Sequence, residues 1–230
     1  LALLCQKAEN DYVGVNCGIM DQMISACGQA GHAMMLDTRD MDRGYFSMPE
    51  GIAVVVADSK VRRSLSTSAY NTRRSQCEEA VSVLQTHDPE IKALRDVSLE
   101  VLNAHRDEMS DVVYRRARHV VTENARVLAF SRKLYDGDLT DVGALLVEGH
   151  RSLRDDYEVS IPELDTLVEA AVEVEGCYGA RLTGAGFGGC IIALAAEDAV
   201  PDVQAHLNEV YEAEYGKQPA VYITRPADGV

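Results

Sequence analysis

Residues 182 to 194 have the sequence Leu182-Thr183-Gly184-Ala185-Gly186-Phe187-Gly188-Gly189-Cys190-Ile191-Ile192-Ala193-Leu194, in which four glycines within six residues lead into an apolar run. Glycine lacks a Cβ atom, so it adopts positive φ at little cost and lets backbone N–H groups approach an anion. The stretch therefore indicates either a phosphate-binding loop or a tight turn before a buried strand.

Three of these glycines, Gly184, Gly186 and Gly189, also match the dinucleotide-binding pattern G-x-G-x-x-G. That pattern requires a helix directly after the glycines, whereas residues 190–196 predict a strand. A P-loop is excluded as well, because no Gly-Lys-Ser/Thr follows. If the loop contacts phosphate, it does so in another fold.

The composition is that of a globular protein, with 47% hydrophobic and 26% charged residues in 230. A formal net charge of −15 disfavours nucleic acid and anionic lipid, so neither is an expected partner. The six cysteines include no C-x-x-C pair, and no apolar run approaches the roughly 20 residues that span a bilayer. We therefore expect a cytoplasmic protein whose cysteines are reduced thiols and form neither a disulfide framework nor a zinc site.

The order of predicted elements indicates an α+β fold. Four strands, at residues 52–58, 178–182, 190–196 and 220–224, alternate with helices in the order β-α-β-β-α-β, which is the ferredoxin-like split βαβ arrangement. The glycine loop then forms a hairpin between two central strands. Helices are predicted at residues 70–85, 91–104, 112–135, 139–156, 162–175 and 201–215, and short strands at 33–37 and 45–48.

A shorter helix is predicted near the N-terminus, with Asn16 as N-cap and Gly28 as stop signal. Asp21 falls in its first turns, where a carboxylate is stabilised by the helix dipole, and from the residues alone that structural role is preferred. After the strand at residues 52–58, the cations Lys60, Arg62 and Arg63 could meet a phosphate or form a solvated loop.

Three stretches in this order resemble the galactokinases of the GHMP small-molecule kinase superfamily. They are the segment Cys17-Gly18-Ile19-Met20-Asp21-Gln22, the region from Asp58 to Tyr70 with Val61-Arg62-Arg63-Ser64-Leu65, and the stretch from Leu182 to Cys190. The resemblance extends over essentially the whole chain. It implies a GHMP-kinase-like fold in which residues 1–48 are the end of an N-terminal domain and residues 49–230 form the ferredoxin-like C-terminal domain.

The resemblance also implies roles for particular residues. Asp21 matches the catalytic aspartate that lies against the anomeric hydroxyl of the sugar, Gly18 a backbone contact to the sugar, and Tyr70 a hydroxyl that hydrogen-bonds it. Arg62 matches a basic residue near the nucleotide phosphates. The third family motif, beside the phosphate site, is matched by Gly184, Gly186, Gly188 and Gly189.

The implied activity is Mg²⁺-dependent transfer of a phosphoryl group from ATP to D-galactose, giving α-D-galactose 1-phosphate and ADP. Two alternatives stay open: a kinase for a related sugar such as N-acetylgalactosamine, and a catalytically silent sensor of sugar and nucleotide. The resemblance assigns no role to Lys60, Arg63 or any histidine, and the sequence predicts no oligomeric state.

Two galactokinase motifs do not occur in these 230 residues. They are the sugar signature with a Gly-Glu-His-Thr-Asp-Tyr core and the Gly-Leu-Ser-Ser-Ser phosphate loop; Leu65-Ser66-Thr67-Ser68-Ala69 resembles the latter only faintly. We therefore expect a piece of a longer kinase, with the Mg²⁺ ligands and main nucleotide contacts elsewhere. By itself this piece should be inactive and should self-associate through exposed apolar surface.

Overall fold

The computed structural model describes residues 1–14, 17–62 and 66–230. Its N-terminal part consists of two short helices and a hairpin. These elements are α1 (Ala2–Ala8), which continues into a π-helical turn (Glu9–Val13), then α2 (Met20–Cys27), β1 (His32–Leu36) and β2 (Arg43–Ser47).

The remainder contains four longer strands and six helices among the described residues. In chain order these are β3 (Ile52–Asp58), α3 (Ser66–Gln85), α4 (Leu99–Ala104), α5 (Asp111–Asp136), α6 (Leu139–Asp155), α7 (Pro162–Glu173), β4 (Cys177–Leu182), β5 (Cys190–Ala196), α8 (Val200–Tyr215) and β6 (Ala220–Thr224). Short 3₁₀ turns at Leu94–Asp96 and Arg106–Glu108 flank α4. The predicted β-α-β-β-α-β order is confirmed, with α3 to α7 in the first crossover.

The four long strands form one antiparallel sheet in the order β4-β5-β3-β6. Val55 of β3 lies opposite Ala193 on one side and Ile223 on the other, so β3 is an inner strand. The prediction that the glycine loop joins two central strands is wrong, because β4 lies at one end of the order of described strands, next to β5, and is an edge strand. Since β6 occupies the other side of β3, the loop connects an edge strand to an inner one.

Both faces of the sheet are covered, as the alternation of side chains along a strand requires. Val55 and Ala57 point into a core built with Leu164 and Leu167 of α7 and Leu207 of α8. Val54 points to the opposite face, where a second cluster joins α5, α6 and the β1–β2 hairpin; its members include Leu134, Val142, Leu146, Leu194, Phe46 and Met48. A third cluster packs α3, α4 and α5 together through Leu84, Leu102 and Val113. The sheet therefore lies between α7 and α8 on one face and α5, α6 and the hairpin on the other.

The prediction of one continuous helix at residues 91–104 is wrong. Residues 94–96 form a 3₁₀ turn, Val97 is extended, and α4 begins only after Ser98. The Asp96 carboxylate accepts the backbone N–H groups of Lys92 and Ala93, and the Ser98 hydroxyl caps α4 by accepting from Val101. Such short-range hydrogen bonds from side chain to backbone compete with helix formation.

The helix predicted after residue 16 is confirmed as α2, which ends at Cys27 with Gly28 as C-cap. The proposed N-cap Asn16 lies outside the described residues. Among the described helices, none combines the length and apolar character needed to cross a membrane.

Candidate functional site

The glycine loop between β4 and β5 has the backbone geometry that its composition predicts. Gly184, Gly186, Gly188 and Gly189 all have positive φ, at 78°, 78°, 125° and 83°. Even Phe187, within the loop, has φ of 60°. A loop with positive φ at several positions favours glycine, because every other residue is sterically disfavoured at positive φ.

The inner part of the loop is wedged between two other segments of the protein. Phe187 donates its N–H to the carbonyl oxygen of Val159 at 2.7 Å, and Gly189 donates to that of Val61 at 3.1 Å. A Cβ atom on Gly186 would lie 2.2 Å from the Val159 oxygen. Two loop amides are thus used within the protein. An anion would have to meet the other end of the loop, where Gly184 is exposed.

Ser59 joins the end of β3 to this loop. Its side chain is fully buried, and its hydroxyl donates to the Gly189 carbonyl oxygen at 2.8 Å. The Ser59 N–H donates to the same oxygen at 3.0 Å, and the Tyr211 hydroxyl donates to the Ser59 carbonyl at 2.7 Å. These bonds, together with the one from Gly189 to Val61, hold residues 59–61 against the glycines, so the exposed Arg62 directly follows a residue that contacts the loop. Arg63 lies outside the described residues.

Tyr70 approaches the same region through α3. It is half-buried and lies one turn before Arg73 on the same face of the helix. The Arg73 guanidinium donates to the carbonyl oxygens of Tyr157 and Glu158, at 2.6 and 2.9 Å, and lies 5.8 Å from the centre of the Phe187 ring. Residues 157–159 therefore connect the start of α3 to the glycine loop.

Sequence reasoning did not identify that connecting segment. The buried side chain of Arg116 stabilises this segment. Its guanidinium donates to the Asp156 carbonyl and, at 2.6 Å, to the Glu158 carboxylate. Hydrogen bonds from Arg116 and Arg115 keep the pKa of Glu158 below its usual range. Glu158 has φ of 51°, a conformation that nothing in its sequence signals. The partners lie about 40 residues apart, so no local pattern indicates the contact.

Asp21 lies on a different element, in the first turn of α2, and its side chain is exposed. In the described part of the chain no side chain forms an ion pair or hydrogen bond with its carboxylate. Gly18, just before the helix, is also exposed, and a Cβ atom there would meet open space. Asp21 and Gly18, two of the three predicted sugar contacts, are thus accessible, but no hydrogen bond of the described residues joins them to the glycine loop.

The opposite end of α2 is held by the C-terminal tail, which the sequence analysis also missed. Gly229 donates its N–H to the Gly28 carbonyl at 2.9 Å, and Val230 donates to Ser25 at 2.8 Å. The Asp228 carboxylate accepts from the Ala30 N–H at 2.8 Å. The tail and α2 are about 200 residues apart in the chain, so α2 is positioned by the last residues of the sequence.

A buried polar network near residues 157–159 consists of a serine, a histidine and an aspartate, the residue types of a hydrolytic triad. Their spatial order differs from that of a triad. The Ser152 hydroxyl lies between the others, 2.9 Å from His119 Nδ1 and 3.2 Å from the Asp156 carboxylate. In a triad the histidine stands between serine and acid. Burial lowers the pKa of His119 to about 4, so the ring is neutral near pH 7. The arrangement is structural.

Comparison with known proteins agrees with this architecture. Residues 130–213 match the family described as GHMP kinases C terminal. A galactokinase from Roseiflexus sp. (strain RS-1) is 48% identical over all 230 residues, which cover 59% of that protein.

Among solved structures, Lactococcus lactis galactokinase complexed with galactose has a TM-score of 0.94 and 38% identity; the match covers 99% of this chain and 59% of that one. Methanococcus jannaschii mevalonate kinase, at 16% identity and a TM-score of 0.53 over 99% of this chain and 56% of that one, shares the fold. The chain spans 59% of the length of both galactokinases. Residues 130–213 thus match the C-terminal family of the GHMP kinases, and the chain is similar to the galactokinases along its whole length.

Proposed function

We propose that the protein containing this chain transfers the γ-phosphoryl group of ATP to the anomeric hydroxyl of D-galactose. The products are α-D-galactose 1-phosphate and ADP. The observation that carries the proposal is the whole-length structural likeness to a galactokinase complexed with galactose. Because these residues span 59% of that relative, the proposed activity is that of the whole protein.

On the sugar side, Asp21 would accept the proton of the anomeric hydroxyl or orient that hydroxyl for attack. Its exposed carboxylate in the first turn of α2 is free to meet a substrate. Gly18 would contribute a backbone contact, for which its open surroundings leave room, and Tyr70 a hydrogen bond from its hydroxyl. Phosphoryl transfer depends chiefly on positioning and charge stabilisation, so the alignment of the hydroxyl is the main task of this group.

On the phosphate side, the glycine loop and Arg62 would lie close to the transferred group. Support comes from the backbone bond between Gly189 and Val61, which brings the residue preceding Arg62 into contact with the loop. The buried Gly186 and Gly188 would fix the shape of the loop. The exposed Gly184 and the Arg62 guanidinium would remain on the side open to an anion.

The nucleotide substrate would be the complex of ATP with Mg²⁺. We assign the ion no ligand among the described residues. Mg²⁺ takes oxygen ligands in an octahedral arrangement, whereas the one group of three candidate ligands in the described part of the chain includes two imidazoles. We therefore assign no step of the reaction to the ion through these residues.

We also propose a division at residue 48, with residues 1–48 belonging to an N-terminal domain and residues 49–230 forming the C-terminal domain. The separate hairpin of β1 and β2 ends just before the large sheet begins at Ile52. Phe46 and Met48 nevertheless pack against Leu194, so the two parts share a hydrophobic cluster. We propose a cytoplasmic location because the six cysteines form no disulfide in the described part of the chain, as is usual in a reducing compartment.

The proposal is tested by measuring galactose-dependent ADP release from the whole natural protein and from its Asp21→Asn variant. General acid–base groups commonly contribute about 100-fold or more, so we expect kcat to fall at least about 100-fold in the variant. Asp202→Asn is the matched control, because Asp202 is an exposed aspartate in the first turn of another helix, α8. An unchanged kcat in Asp21→Asn would contradict the catalytic assignment.

The same assay separates the remaining interpretations. Residues 1–230 alone should release no galactose-dependent ADP, since the sugar signature and phosphate loop of the family lie outside them. Activity of the whole protein with N-acetylgalactosamine but not galactose would identify a different sugar kinase. Sugar binding without any ADP release would indicate the sensor and overturn the enzymatic proposal.

A further inference from the structure

Three potential metal ligands meet on the side of the molecule where α3, α4 and α5 join. His87 follows the end of α3, His105 is the C-cap of α4, and Glu108 ends the 3₁₀ turn before α5. One ligand atom from each residue lies within 4.8 Å of the other two. The proposed kinase roles involve none of these residues.

The carboxylate of Glu108 stands between the two imidazoles. His87 Nε2 is 2.7 Å from one of its oxygens and His105 Nδ1 is 2.8 Å from the other. The two rings are stacked, with centroids 3.9 Å apart and planes inclined by 25°. The side chains of His87, His105 and Glu108 are 40%, 22% and 45% exposed, so an ion has free access from solvent.

This arrangement differs from an ordinary surface pair of histidine and glutamate. Such a pair occurs in the same molecule at His206 and Glu173, 3.0 Å apart, where a single imidazole meets the carboxylate. At Glu108, two ring nitrogens converge on one carboxylate, and two imidazoles with one carboxylate form a set typical of transition metals rather than Mg²⁺ or Ca²⁺.

The spacing is close to what an ion requires. Tetrahedral Zn²⁺ with bonds of about 2.0 Å places its ligand atoms roughly 3.3 Å from one another. The present separations allow this geometry after small rotations of exposed side chains, with the imidazole protons moving to the other ring nitrogens. Among the described residues the group supplies three protein ligands, which leaves a position for water and indicates a site open to solvent.

We propose that His87, His105 and Glu108 together bind one transition-metal ion of the Zn²⁺ type. The bound ion replaces the two protons that now lie between the imidazoles and the carboxylate. It links the end of α3 to the turn between α4 and α5, and so stabilises the helical layer without contacting the proposed substrate site.

The test measures Zn²⁺ and Ni²⁺ binding to the untagged whole protein by isothermal titration calorimetry, with Mg²⁺ as a comparison ion. We expect one site, and at least a tenfold weaker affinity in His87→Gln, His105→Gln and Glu108→Gln, because even changes outside the ligand set cost about 10- to 100-fold. His206→Gln is the matched control and should bind as the unchanged protein does. Equal affinity in all four variants would overturn the proposal.

A second measurement distinguishes this site from binding by the thiols of the six cysteines. The electron paramagnetic resonance spectrum of the Cu²⁺-loaded protein should show coupling to two imidazole nitrogens, and this coupling should disappear in the His87→Gln/His105→Gln variant. A spectrum with thiolate ligands, or nitrogen coupling that survives in that variant, would contradict the assignment. Neither readout depends on kinase activity, so failure of the metal site and failure of the proposed function are distinguishable.

Discussion

At the scale of single residues, Gly186 shows how little space separates the glycine loop from residue 159. Its φ of 78° disfavours other residues, and an added Cβ would lie 2.2 Å from the backbone oxygen of Val159. We expect Gly186→Ala to lower the free energy of unfolding by about 3 kcal/mol, combining the left-handed conformation with overpacking. Gly216→Ala, at φ of 64° with open space around it, should cost only about 1 kcal/mol.

Urea unfolding of both variants checks the comparison. Equal losses of unfolding free energy in the two variants would mean that the left-handed backbone conformation alone explains the effect of Gly186→Ala. The contact with Val159 would then make no contribution.

His119 gives stability a dependence on pH. It is buried, its ring is stacked on Tyr157, and burial lowers its pKa to about 4 from an ordinary value of 6.5. Between these values the unfolded chain binds a proton that the folded chain does not. The stabilising contribution is therefore complete above pH 6.5 and is lost as the pH falls towards 4, at about 1.4 kcal/mol per pH unit.

Urea unfolding at several pH values should show this slope in the unchanged protein and a smaller slope in His119→Gln. Comparing the two proteins cancels the titration of other groups, such as the nearby carboxylate of Glu123. Parallel curves for the two proteins would show that His119 is not the source.

At the scale of elements, the close approach of α6 to β4 depends on two glycines that face each other. A Cβ on Gly143 would lie 1.7 Å from the Tyr178 carbonyl oxygen, and one on Gly179 would lie 2.2 Å from that of Gly143. Gly143→Ala must separate the helix from the strand, and we expect it to cost about 3 kcal/mol of unfolding free energy.

Gly149→Ala is the matched control on the same helix. Its Cβ would meet only the ends of the Arg181 and Glu123 side chains, at 3.0 and 3.4 Å, which can move. Since alanine also favours the helix by about 1 kcal/mol, we expect a change within about 1 kcal/mol of the unchanged protein. Thermal unfolding monitored by circular dichroism separates the two variants; comparable losses would contradict the packing argument.

At the scale of the whole molecule, the described N-terminal helices leave apolar side chains in water. Leu3 and Leu4 of α1 and Met20 and Ile24 of α2 are all exposed, on elements that contact each other. We expect the 230-residue chain to self-associate through this surface, as its sequence predicts, and the Leu3→Glu/Leu4→Glu variant to shift towards monomer.

Sedimentation velocity over a range of concentrations measures this shift. Val127→Glu/Leu128→Glu, a change of exposed apolar residues on α5, is the control and should leave the association unaltered. A monomer at every concentration, or an equal effect of both variants, would contradict the prediction.

Much of the fold was predictable from local patterns. The strands Ile52–Asp58, Cys190–Ala196 and Ala220–Thr224 were predicted with the bounds that the structure shows, because each is a short apolar run flanked by turn or charged residues. The helix at residues 91–104 was not, since Asp96 and Ser98 form hydrogen bonds that end one helical segment and begin another. The spacing of apolar residues indicates which face of a helix is buried, but it contains no information about hydrogen bonds from side chains to the backbone.

Local sequence was enough to predict the order of the elements, the glycine-dependent turn of the loop and the motifs that resemble galactokinases. Their surroundings became known from the packed structure: Val159 and Ser59 contact the loop, Arg116 contacts residues 156 and 158, and residues 229–230 contact the end of α2. Backbone preferences and periodicity arise within a few residues and are written in local sequence. Contacts between residues 40 to 200 positions apart arise when the whole chain packs, so no local pattern contains them.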